Sequence, residues 1–301
     1  MARPKKNNAE YFTHDADMRN DVKIKALRRK FSHAGYAVWN YLLETLTDSD
    51  FFEVEWEEIN IELLAADYDV SVSELTENYG AVRKRLSEAL ERAGRRENEV
   101  TLLAATKTVD PETINRAIEL GITHIGENRV QELLSKNGLI KPVHNHFIGH
   151  LQTNKVKDII DKVEMIESVH SEKLAAEISK QACKAGITMD ILLEVNIGNE
   201  ESKSGFAPEE TEQAVRKIAE MPGISVKGLM AIPPIDPLYE NTRKYFRNMY
   251  KLFIDIGAKN IDNSSMSVLS MGMSNDFDIA AEEGATIVRV GTALFGKRIY
   301  K

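Results

Sequence analysis

The chain has 301 residues, 43% hydrophobic and 29% charged. That is the balance of a folded protein of about two domains and not of a long disordered segment. A single cysteine, Cys183, rules out an intrachain disulfide and a cysteine-built zinc site and points to a reducing compartment. The net charge of −8 is uneven: residues 1–30 hold nine Lys/Arg against four Asp/Glu, and residues 31–71 hold none against ten.

In chain order, the first thirty residues carry charge throughout and lack the apolar core of a signal peptide. No uncharged apolar run reaches the roughly 18 residues of a membrane helix, so a cytoplasmic protein without a membrane partner is expected. Asp21 to Phe31 predicts a short helix, Ser32-His33-Ala34-Gly35 a turn, and Tyr36 to Leu46 a second helix. Phe51 to Trp56 alternates like a strand, and Glu57 to Asp67 is helical again. Residues 1–71 thus read as a small α-rich unit of helix-turn-helix type.

A long helix follows from about Ser73 to Ala93, with Tyr79, Val82, Leu86 and Leu90 at helical intervals and Gly94 as its stop. Apolar strands are predicted at Val100–Thr106, Thr123–Ile125, His146–Ile148, Met165–Val169, Asp190–Val195, Val226–Met230, Ser267–Leu269 and Thr286–Val290. Helical stretches lie between them, at 111–120, 128–136, 153–161, 171–185, 208–220, 239–256 and 275–283. Parallel strands need crossover connections, so this alternation over residues 72–301 predicts a (β/α)₈ TIM barrel. An open doubly wound sheet is disfavoured, because no Gly-x-Gly-x-x-Gly follows the first strand.

Barrels of this kind work at the carboxyl ends of their strands. Lys107 ends the first strand in phase with Leu103 and Ala105, which would aim its amine over the barrel mouth. Partial desolvation there would fit it to attack an aldehyde, although a solvated lysine satisfies the same pattern. The loop Ser270 to Asp276 and the run Arg289 to Gly296 follow strands seven and eight, where such barrels often hold phosphate. Gly291 would let an anion approach the backbone, with hydroxyls from Ser274 and Thr292; an ordinary glycine turn reads the same way. Arg289, in phase with Ile287, should face the interior and needs a partner: a phosphate, a ring nitrogen, or a carboxylate such as Glu194. His146 and His150 could reach the mouth, but without a Cys or His partner at ligand spacing no metal is expected. Cys183 is expected to be packed in a helix, and Lys203 is either a secondary ligand contact or solvated.

Seven blocks carry a resemblance: Ala105-Thr106-Lys107-Thr108, Gly126 to Glu132, His146 to Lys155, Ser202-Lys203-Ser204-Gly205, Gly228 to Pro233, Ser270 to Asp276 and Arg289 to Gly296. Together, in order over about 72–301, they resemble the pyridoxal phosphate homeostasis proteins, single-barrel relatives of alanine racemase. The resemblance implies pyridoxal 5′-phosphate as a Schiff base on Lys107, and phosphate contacts from Ser274, Gly291 and Thr292. It also implies Arg289 at the pyridine nitrogen and Asn128 near the ring. Two positions depart from the family pattern: Val109 stands where a second basic residue is common, and Asn145 where Trp is common. The implied role is to bind, buffer and deliver the cofactor, with PLP-dependent apo-enzymes as possible recipients and no significant turnover. A guanidinium does not protonate the pyridine ring, and the tyrosine that alanine racemases take from a second domain is expected to be missing. A weak PLP-dependent racemase is the alternative within this resemblance.

Residues 1–70 resemble a different family, the phage replisome-organiser-like N-terminal domain, through Tyr11 to Asp15, Gly35 to Trp39 and Leu64 to Val70. That resemblance implies a partial winged-helix-like fold fused to the barrel, and a nucleic-acid-binding module as the competing function. The ten acidic residues after the basic arm would repel phosphates, so nucleic acid is not the expected partner.

Overall fold

Strands that are apolar on both faces must be covered on both, and a parallel barrel inside a ring of helices does this. The computed structural model describes residues 72–200, 203–234 and 239–296. Within it, eight parallel strands close in chain order: β1 Thr101–Ala105, β2 His124–Glu127, β3 His144–Phe147, β4 Met165–Val169, β5 Met189–Val195, β6 Ile224–Ala231, β7 Ser264–Ser270 and β8 Ile287–Val290. Helix α1, Val72–Arg92, precedes the barrel. The crossovers carry α2 Pro111–Glu119, α3 Val130–Lys136, α4 Val156–Ile159, α5 Glu172–Ala185, α6 Pro208–Ala219, α7 Tyr239–Gly257 and α8 Phe277–Glu282, and the short α9 Thr292–Phe295 follows β8. The expected (β/α)₈ barrel is therefore present, with strand ends within three residues of those expected; the helix expected over 153–161 begins as a 3₁₀ turn, Thr153–Lys155. The helical unit expected over residues 1–71 lies outside the described residues.

Side-chain alternation decides what fills the barrel. Leu103, Ala105, Ile148 and Ile287 form one interior cluster; Met165, Leu192 and Met230 form another, and Val268 packs on both. Leu103 and Ala105 thus occupy the phase assigned to the interior from sequence; β1 ends at Ala105, and Lys107 follows it in the turn. Residues of the opposite phase, among them Leu102, Ala104, Phe147, Ile166 and Leu193, are buried facing the helical layer.

The helices start and stop on local signals. Asp110 accepts the Thr113 N–H at 2.9 Å ahead of α2, whose first residue is Pro111. Ser171 caps α5 through Leu174 N–H at 3.3 Å, and α5 ends on Gly186 at φ +68°. Such caps contribute about 1 kcal/mol each. In α5 the buried stripe is Leu174, Ala175, Ile178 and Ala182, and Cys183 falls beside it. Cys183 is exposed, not packed as expected, because one residue rotates the side chain about 100° off the stripe.

Gly228 lies where β6 changes register against β7. A Cβ there would stand 1.8 Å from the Val268 carbonyl oxygen. Gly228→Ala should therefore destabilise the barrel by at least the usual overpacking cost of about 1–3 kcal/mol. The check is a lowered urea midpoint with unchanged slope.

Candidate functional site at the carboxyl ends of the strands

The turn that carries Lys107 is held from below by buried charge. Thr106 Oγ1 donates to Glu127 Oε1 at 2.7 Å. Lys136 Nζ donates to the same oxygen at 2.8 Å and to the Thr106 carbonyl at 2.8 Å. Glu127 and Lys136 are both buried. Burial pushes the Glu127 carboxyl above its ordinary pKa, while Lys136 and Thr106 pull against that rise. Immediately after Lys107, Thr108 adopts φ +64°, a left-handed conformation that a β-branched residue rarely accepts. Its N–H donates to Glu132 Oε2 at 2.8 Å, which offsets part of the strain. Lys107 itself is half-buried.

Register brings the other expected residues to the same end. Ala105 pairs with Gly126, so Lys107 and Asn128 each lie just past the carboxyl ends of two neighbouring strands, β1 and β2. Asn128 Oδ1 is buried and has no hydrogen-bond partner among the described residues. The chain beyond β3 presses on Asn128: a Cβ at Gly149 would lie 2.1 Å from the Asn128 carbonyl oxygen. On the other side of β1, Ala104 pairs with Val290, which Gly291 and Thr292 directly follow. At the start of α9, Ser274 Oγ accepts the N–H groups of Gly291 and Ala293, each at 3.2 Å. Gly291 is buried and Thr292 exposed. Around four consecutive strands, β7, β8, β1 and β2, Arg289 lies within β8, while Ser274, Gly291, Thr292, Lys107 and Asn128 follow the carboxyl ends.

Sequence reasoning missed what steadies the loop after β7. Arg85 of α1 grips Asp278 with Nε at 2.9 Å and Nη2 at 2.6 Å. The same guanidinium donates to the Asn275 carbonyl at 3.0 Å and stacks 4.5 Å over the Phe277 ring. Asn78 Nδ2 donates to the Leu294 carbonyl at 3.0 Å, which ties α1 to α9 as well. Nothing in the α1 sequence separates Arg85 from the solvated arginines beside it, so no sequence signal could have marked it.

Arg289 faces the interior, as its phase predicts, and is only 4% exposed. Its partners differ from the expectation. Nη1 donates to Ser270 Oγ at 2.5 Å and Nη2 to the Ala231 carbonyl at 3.0 Å. The near carboxylate is Glu167, 3.9 Å away, and not Glu194. Glu194 sits further along β5 and interacts with Arg289 only through space; burial raises its pKa and Arg289 lowers it in part. Ser270 Oγ in turn donates a hydrogen bond to Glu167 Oε2 at 2.6 Å. His146 Nδ1 meets Glu167 Oε1 at 2.7 Å. His146 is therefore committed to the barrel core and does not reach the mouth, because it shares the inward phase of Ile148 two residues earlier in β3. His150, exposed at the end of that segment, stacks on His170 at 4.4 Å. Lys203 pairs with Glu200 and donates to the Pro233 carbonyl at 3.4 Å.

At the opposite, amino-terminal end of the strands is a cavity of about 360 Å³ lined by Thr101, His124, His146, Glu164, Asp190 and Thr286, among others. His124 stacks on His144 at 4.5 Å and meets His146 edge-on at 5.5 Å. Burial, then the neighbouring His146 and His144, lower the His124 pKa from 6.5 to about 4.

Comparison with known proteins bears on the barrel and on the family it belongs to. Residues 75–298 match the family described as alanine racemase, N-terminal domain. A pyridoxal phosphate homeostasis protein of Aquifex aeolicus is 47% identical over 226 residues, 74% of this chain and 98% of that protein. Among solved structures, a protein of unknown function from Bifidobacterium adolescentis shares 39% identity, with TM-score 0.72, covering 74% of this chain and 95% of that one. PipY of Synechococcus elongatus, solved with PLP bound, shares 27% identity, with TM-score 0.64, covering 74% of this chain and all of that one. The chain belongs to the pyridoxal phosphate homeostasis protein family.

Two outcomes follow from the buried charges. Lys136→Met leaves Glu127 without its cation and should cost about 3–5 kcal/mol, measured by chemical denaturation. Adding Glu127→Leu should recover much of that loss. For His124, the unfolded chain takes up a proton near its ordinary 6.5 and the folded one only near 4, so this group's stabilisation is complete above 6.5 and lost as pH falls through that window. Denaturation midpoints of His124→Gln should accordingly fall less between pH 7 and pH 4 than those of the parent.

Proposed function

We propose that the barrel binds pyridoxal 5′-phosphate reversibly, holds it as a Schiff base on Lys107, and serves to store and deliver the cofactor without significant turnover. The observation that carries this reading is the buried Asn128 Oδ1, unpartnered among the described residues, just past the end of the strand beside the one that Lys107 follows. A buried polar atom with no partner costs free energy, and a ligand group that bonds it recovers that cost. The donor set also fits. The Gly291 and Ala293 N–H groups, now bonded to Ser274 Oγ, are of the kind a phosphate accepts, with hydroxyls from Ser274 and Thr292 beside them. When bound, the cofactor supplies the aldehyde that the Lys107 amine captures with loss of water. The names of the curated relatives and the PLP-bound PipY structure support the same ligand.

Arg289 separates a carrier from a catalyst. Its guanidinium is held by Ser270 and Ala231 and would face the pyridine nitrogen. Arginine does not give up a proton at physiological pH, so a ring nitrogen against it stays unprotonated and withdraws electrons weakly. Carbanion chemistry, and with it racemisation, would then depend on well-placed bases on both faces of the substrate, one of which alanine racemases take from a second domain. Delivery would be to PLP-dependent apo-enzymes in the cytoplasm. The exposed, unpaired Cys183 is in keeping with a reducing compartment. Among the described residues no helix is long and apolar enough to cross a membrane.

Reconstituted protein should be yellow, and borohydride should fix the cofactor to the peptide containing Lys107, read by mass spectrometry. Lys107→Ala should abolish both colour and label. Amino-acid racemisation at ordinary enzyme rates would overturn the carrier reading. Salt-sensitive retention on DNA, lost when residues 1–71 are deleted, would favour the nucleic-acid alternative for the amino-terminal unit.

A further inference from the structure

A continuous run of buried polar groups crosses the barrel interior beneath the proposed cofactor. It passes from His146 on β3 to Glu167 on β4, to Ser270 on β7, to Arg289 on β8, and ends on the Ala231 carbonyl at the end of β6. Glu167 is 0% exposed and Arg289 4%. Ser270 has one proton. Glu167 Oε2 takes it at 2.6 Å, which leaves an oxygen lone pair for Arg289 Nη1 at 2.5 Å. An ionised Glu167 can only accept, which fixes that order. The ionised form is the one this site favours. Burial alone would raise its pKa, and the His146 contact, Arg289 and the Ser270 hydroxyl together bring it below the ordinary value.

We propose that Glu167 is a positioning residue that, through Ser270, orients Arg289 and balances its charge, and so sets the field at the ring-nitrogen end of the cofactor site. This rests on the cofactor reading given above. Three carboxylates act on the guanidinium: Glu167, Asp276 and Glu194. Asp276 accepts the Met273 N–H at 2.6 Å, and burial raises its pKa. Burial likewise raises that of Glu194. Of the three, Glu167 alone is linked to Arg289 through a shared hydroxyl. His146 carries the run to the cavity at the other end of the barrel, where His124, Glu164 and Asp190 also line the wall.

The test uses the full chain loaded with pyridoxal phosphate and reads the pH midpoint of the visible Schiff-base band. Glu167→Gln keeps the volume and removes the negative charge. The unbalanced Arg289 should then make the imine nitrogen give up its proton more readily, and the midpoint should fall by about one unit. Glu167→Asp, which restores the charge, should bring the midpoint back towards that of the parent. A Glu167→Gln protein that loads normally and keeps the parent midpoint would overturn the proposal.

Should Glu167→Gln not fold, Ser270→Ala decides the matter. Loss of the hydroxyl should raise the Kd for pyridoxal phosphate about tenfold, the scale of one charge-assisted hydrogen bond. The Kd for inorganic phosphate, which has no ring, should stay at the parent value. Equal weakening of both ligands, or of neither, would count against a role at the ring. A parent protein with no Schiff-base band at all would remove the cofactor reading itself, whereas a parent band with unmoved variants removes only the role of Glu167.

Discussion

Pairing of the first strand with the last is the constraint on which the rest of this molecule depends. A parallel sheet that closes on itself has no unpaired edge, and closure here sets Ala104 against Val290. Lys107 and Gly291 lie far apart in the chain, yet each follows the carboxyl end of one of two neighbouring strands. Without that closure the proposed amine and the proposed anion donors would belong to different parts of the fold. Closure also buries most of both faces of the strands, which is why ordinary apolar strand sequences suffice and why the polar exceptions inside the barrel are informative.

Those exceptions form two buried networks with different tasks. Glu127, Lys136 and Thr106 lie on the helical side of β1 and β2 and fix the turn after Thr106. His146, Glu167, Ser270 and Arg289 lie on the inner side and fix a cation near the barrel mouth. A buried ion pair seldom adds stability over well-packed apolar residues. Placing such pairs directly behind the candidate site therefore makes more sense as orientation of groups than as stabilisation of the barrel.

Helix α1 has a comparable role on the outside. Its apolar stripe of Leu75, Val82, Leu86 and Leu90 is buried, and Arg85 and Asn78 reach from it to the two segments that flank the proposed phosphate donors. The α9 helix is too short to hold its own position. It depends on α1 and on Ser274 for its place.

Much of this could be read along the chain, because it depends on period and local chemistry. Alternation with period two placed Leu103, Ala105 and Arg289 on the inward face, and the switch between two-residue and helical periods marked all eight strands. Glycine and hydroxyl residues after the seventh and eighth strands pointed to the anion donors. The sequence could not supply the partners. Glu167 is 122 residues from Arg289 and Arg85 is 193 from Asp278, and nothing local distinguishes either from other charged residues. Glu194 is inward and acidic and so satisfies the same pattern, but its height along β5 differs. His146 is held in the barrel core by Glu167, a partner 21 residues away that no local pattern marks. Strand phase is set by neighbours one and two residues away, so sequence determines it. Which buried charge meets which depends on barrel closure and the stagger between strands, and only the tertiary structure decides that.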